Sequence, residues 1–112
     1  MTDSHFSDPG AWIAAVDRAL ERLSARHILA AKGIEPATFL AIVRAEASGA
    51  GANGITILSH EQLAQLTGVS RPSVLRARLA LIELGLEYLA ADSGASGKVH
   101  RILHMAESIT ER

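Results

Sequence analysis

The sequence predicts a mainly helical domain carrying one small β-hairpin, and three observations lead there. Apolar residues make up 48% of the chain but aromatics only 4%, with alanine dominant, a balance that favours helix over a strand sandwich. The prolines Pro9, Pro36 and Pro72 each stand at the first turn of a helix-like segment, where a missing N–H is harmless. Residues 55 to 88 read in order as a short strand, a short helix, a glycine turn, a longer helix and a return strand. At 112 residues the chain has the length of one domain and can bury its own core.

Residues 1 to 8 are polar and are expected to be flexible. Asp8-Pro9 opens a helix, with Asp8 as its cap. Ile13, Val16, Leu20, Leu23 and His27 follow a three-four spacing, which predicts one amphipathic helix from about 9 to 31, ended near Gly33. That stripe has two readings, packing on the domain's own core or a dimer interface. Glu35-Pro36 opens a second helix, with Phe39, Leu40, Ile42 and Val43 as its core contribution. It stops before the glycine-rich run 48–54, which lacks the lysine and the strand–helix context of a phosphate loop. Ile55 to Leu58 is a short apolar strand, and Ser59 with Gln62 fits a capping box that starts a third helix. The domain therefore spans 9–105, with N-terminal helices over 9–47, a core motif and hairpin over 55–105, and a C-terminal tail from 106 to 112.

Several function classes fall away on composition. There are no cysteines, which excludes disulfides and thiolate metal sites and favours an intracellular location. No apolar run approaches the ~20 residues of a membrane span, and the first residues lack the pattern of a signal peptide. The formal net charge is −1. Between Ser70 and Arg101, however, Arg71, Arg76, Arg78, Lys98 and Arg101 stand against Glu83, Glu87 and Asp92, so this segment is positive and the remainder negative.

The spacing over 59–85 is specific. Leu63 and Leu66 give the third helix a buried side, Thr67-Gly68 supplies a tight turn, and Val69 plugs the space between two helices. Ser70 caps a fourth helix, Pro72 sits in its first turn, Val74, Ala77, Leu81 and Leu84 recur at helical spacing, and Gly85 ends it. This segment, Gly-Val-Ser-Arg-Pro-Ser-Val-Leu-Arg-Ala-Arg-Leu-Ala-Leu-Ile-Glu-Leu-Gly-Leu, resembles the recognition-helix region of bacterial winged helix-turn-helix regulators. The resemblance covers about residues 55 to 105, with a hairpin of Leu86 to Ala90, a tip of Asp92 to Gly97 and a second strand of Lys98 to Met105. The expected fold is thus mainly α with a small β-hairpin wing, a winged helix-turn-helix with an N-terminal amphipathic helix.

Carried onto this sequence, the resemblance implies that Ser70, Arg71, Ser73 and Arg76 face a DNA groove, and that Lys98 and Arg101 on the hairpin grip the backbone or minor groove. Arginine suits bidentate contact with guanine and also neutralises phosphate. Serines near a helix start hold phosphate together with the helix amides. A solvated face or a surface ion pair is the plainer role for any of these arginines, Arg78 included.

The chain departs from the family in two respects: Arg78 stands where leucine is usual, and Leu75, Leu79 and Ile82 stand where polar residues are usual. The fourth helix is therefore apolar on two sides, and its second face is expected to pack under the N-terminal helix or against another subunit. The latter arrangement resembles plasmid-segregation adaptors of tubulin-type partition systems, which pair through this helix. Leu75, Leu79 and Ile82, with Ile13, Val16 and Leu20, are the candidate dimer-interface residues.

His100 and His104 form the closest histidine pair, but on a strand they stand about 13 Å apart, too far to share a metal ion. No nucleophile–base constellation is visible, so neither an enzyme nor a cofactor is expected. The expected function is sequence-specific binding of double-stranded DNA by a cytoplasmic, nucleoid- or plasmid-associated homodimer, acting in repression or in replication, partition or conjugation. Two alternatives stay open: a protein–protein interaction module with a protein partner, and a regulator that responds to a small molecule.

Overall fold

The computed structural model describes residues 8–51, 53–89 and 101–104. Of the flexible N-terminus expected over 1–8 only Asp8 is described, and the hairpin tip at Asp92 to Gly97, Lys98, His100 and the tail at 106–112 lie outside the described residues. Among the described residues, five helices and three short strands run in the order α1 (Pro9–Ala19), α2 (Leu23–Ala31), α3 (Pro36–Ser48), β1 (Ile55–Thr56), α4 (His60–Thr67), α5 (Arg71–Glu83), β2 (Glu87–Leu89) and β3 (Arg101–Leu103). No helix among the described residues is long and apolar enough to cross a membrane.

The single helix expected over 9–31 is two. Asp8 caps α1 by accepting from the Ala11 N–H at 2.8 Å, but the chain turns at 20–22 and Arg22 is extended. Leucine, glutamate and arginine are good helix formers, so the break is tertiary. Helix α1 packs on α3 whereas α2 packs on α5, and one straight rod does not serve both. Arg26 stabilises the corner by donating to the Leu20 carbonyl at 2.9 Å. The buried stripe of α1 is accordingly Trp12, Ala15, Val16 and Ala19, and Leu23 is 65% exposed. Of the two readings of the stripe, Val16 takes the core and is fully buried; Ile13 and Leu20 pack partly against it.

At the end of α2 the chain reverses through Gly33, at φ 72°. The Gly33 and Ile34 N–H groups return to the carbonyls of Ala30 and Leu29, both at 3.0 Å, so Ile34 folds back into the core. Helix α3 buries Phe39, Ile42, Val43 and Ala47, with Leu40 partly covered.

The capping box of α4 is complete. Ser59 Oγ accepts from the Gln62 N–H at 3.0 Å, and Gln62 Oε1 accepts from the Ser59 N–H at 2.8 Å. Gly68 closes α4 at φ 75°, and Val69 packs partly against the core. Leu63 is buried as expected, but Leu66 is 63% exposed. On an eight-residue helix resting one narrow side on its neighbours, the turn-end leucine is carried outward. In α5, Val74, Ala77, Ala80 and Leu81 are buried, and the Leu86 N–H returns to the Leu81 carbonyl at 2.9 Å beyond Gly85.

The three strands form an antiparallel sheet in the order β1-β3-β2. Ile55 and Tyr88 both lie opposite Ile102, and Glu87 lies opposite Leu103. β1 ends at Thr56, short of the expected 58, β2 begins at Glu87 and not at Leu86, and β3 ends before His104. Trp12 ties the helices to the sheet: its indole N–H donates to the Leu86 carbonyl at 2.9 Å.

Candidate functional site

The first turns of α5 begin where Gly68, in its left-handed conformation, ends α4 and turns the chain. Ser70 is the helix cap: its hydroxyl oxygen accepts from the Ser73 N–H at 3.3 Å, and the two hydroxyls lie 3.0 Å apart. Ser70, Arg71 and Arg76 are exposed and Ser73 half-buried. Neither Arg71 nor Arg76 has an ion-pair partner among the described residues. Glu83 is two turns further along and pairs with Lys32, just past the end of α2, at 3.0 Å. The exposed start of α5 thus presents two hydroxyls and two guanidiniums with no carboxylate in its first turn.

Two other arginines are engaged within the fold. Arg78 is 1% exposed. Its Nε donates to Glu46 Oε2 at 3.2 Å, its Nη2 lies 3.1 Å from the same oxygen, and its Nη1 lies 3.1 Å from His60 Nδ1. A guanidinium only donates, so His60 accepts on Nδ1 and carries its proton on Nε2. Arg101 of β3 donates to Glu87 Oε2 on β2 at 2.5 Å. Arg101 is half-buried and thereby hydrogen-bonded from one strand to the next.

Glu46 and Glu87 belong to one buried cluster. Burial first, and then the adjoining Glu46 carboxyl, push Glu87 up from its ordinary 4.5 to about 9, against the pull of Arg101. The proton that Glu87 keeps supplies a donor between two carboxyls whose Glu46 Oε1 and Glu87 Oε1 otherwise lack a partner. Burial and the Arg78, Arg101 and Arg71 guanidiniums hold His60 below its usual value, so it is neutral at pH 7. The cluster joins α3, α4, α5, β2 and β3 through five side chains. Removing one member of a buried ion pair costs about 3–5 kcal/mol, so these contacts fix how α5 sits on the sheet and on α3.

Glu46, His60 and Glu87 were not singled out in the sequence. The first had a signal: Phe39, Ile42, Val43 and Glu46 share one helical face, as do Val74, Ala77, Arg78 and Leu81. An acid on one buried stripe and a base on another make a pair. Glu87, one residue past Leu86 in a three-residue strand, carries no such signal.

Of the candidate interface residues on α5, Leu75 is 41% and Leu79 46% exposed, and Ile82 is half-buried. The second apolar face therefore lies open rather than beneath the N-terminal helices. No family model, curated protein or solved structure matches the chain.

Proposed function

We propose that the chain is a winged helix-turn-helix protein that binds double-stranded DNA sequence-specifically, with α5 as recognition helix and the β2–β3 hairpin as wing. The observation that carries this reading is the exposed Arg71 and Arg76, without an ion-pair partner among the described residues, at the capped start of α5 beside Ser70 and Ser73. Two outward guanidiniums within the first two turns of a helix suit guanine edges and phosphates, and the hydroxyls of the first turn suit phosphate. Binding as a homodimer on a repeated or palindromic site, in repression or in replication, partition or conjugation, belongs to the same proposal.

Selection from a randomised duplex library tests it. One repeated motif should be enriched by the wild type and not by the Arg71→Ala/Arg76→Ala variant, and the half-site spacing reports the dimer geometry. Failure of both proteins to retain any duplex at low salt removes the reading. The exposure of Leu66, Leu75 and Leu79 favours a second reading, a protein-interaction module, and the same null selection is the outcome it requires.

A further inference from the structure

Leu75 and Leu79 stand one turn apart on the side of α5 opposite Val74, Ala77 and Leu81, and both are exposed. They add little to the fold there, since apolar surface stabilises only when it leaves water. Their neighbours on the same open side are informative. Arg71 lies one turn before Leu75 and Arg76 directly follows it, and both are exposed. From Arg71 to Ile82 the helix holds no acidic residue.

An apolar centre bracketed by cations fits a polyanion whose recessed surface carries apolar groups. The major groove of DNA is such a surface: phosphates line its edges, and the thymine C5 methyl projects into it as the apolar mark of a T·A pair. A second copy of this chain is the competing occupant. Packing two such faces together would bring four guanidiniums around the leucines without a carboxylate between them, and like charges across an interface are costly.

We infer that Leu75 is a specificity-determining residue that contacts a thymine methyl next to the positions held by Arg71 and Arg76. Leu79 continues the strip one turn further along the groove. Target half-sites then carry thymine at one fixed place. This inference rests on the DNA-binding reading and adds to it the base that is read.

The test uses the duplex recovered by selection, with each thymine replaced singly by deoxyuridine, which lacks only the methyl and keeps its pairing and its O4 acceptor. Affinity is measured by fluorescence anisotropy for the wild type and for Leu75→Ala. Removal of the methyl at one thymine per half-site should weaken the wild type about fourfold, the worth of one buried methyl, and leave Leu75→Ala unaffected. Equal wild-type affinity for every substituted duplex, or the same sensitivity in Leu75→Ala, overturns the role of Leu75 and leaves DNA binding intact. No retained duplex overturns both. Sedimentation without DNA gives the third check: a wild-type dimer that becomes monomeric in Leu75→Ala assigns the face to a second copy and overturns the inference.

Discussion

Glu87 shows how burial sets the chemistry of a single residue. Its carboxyl is 1% exposed, faces Glu46 and Arg101 in the cluster that also holds Arg78 and His60, and keeps its proton at pH 7. The native state therefore binds a proton that the unfolded chain releases above about 4.5. This contribution to stability is complete below 4.5 and is lost as pH rises towards about 9. His60 acts in the opposite direction: held neutral in the fold, it contributes stability above 6.5 that is lost as pH falls through its lowered value. The two oppose each other in mildly acidic solution, and Glu87 acts alone above 6.5. Urea unfolding at pH 6.5, 7.5 and 8.5 should show stability falling by up to about 1.4 kcal/mol per pH unit, the slope of one proton. Glu87→Gln should flatten that slope and be the more stable protein at pH 8.5, because the amide accepts from Arg101 and needs no proton. An unchanged slope in Glu87→Gln would show that another group holds the proton.

Gly68 carries the same lesson at the scale of elements. The α4–α5 turn depends on its φ of 75°, and a Cβ added there meets nothing within 4 Å. The cost of Gly68→Ala is thus backbone strain alone, about 1–2 kcal/mol, read as a lower urea midpoint with an unchanged m-value. The turn, the capping box at Ser59 and the caps at Asp8 and Ser70 were all legible in the sequence, because each is made by atoms within four residues of one another. The corner at 20–22 was not. Its residues favour helix, and what bends the chain is that α1 and α2 rest on different helices. The stripe that suggested one helix instead placed Val16 in the core and Leu23 in solvent.

Over the whole molecule, the near-neutral net charge conceals how the cations are used. Arg78 and Arg101 are held by Glu46 and Glu87, which leaves Arg71 and Arg76 as the outward cations of α5. If DNA is the partner, the logarithm of the binding constant should fall linearly with the logarithm of salt concentration. Replacing Arg71 or Arg76 by alanine should make that line shallower by about 0.9 for each arginine that rests on a phosphate. Titrations of the selected duplex between low and physiological salt measure this, and parallel lines for wild type and variants would place both arginines off the phosphates.

The sequence by itself determined the helix openings at Pro9, Pro36 and Pro72, the capping box, the glycine turn and the core side of α5, because those depend on local hydrogen bonds, φ and the helical period. It also contained the clue to the Glu46–Arg78 pair, in two charges set on apolar stripes. Only the tertiary structure decided that β3 lies between β1 and β2, that Glu87 faces Glu46, and that Leu75 and Leu79 remain uncovered. Each of these depends on which distant segments share a volume from which water is excluded, and no short-range pattern of residues specifies that.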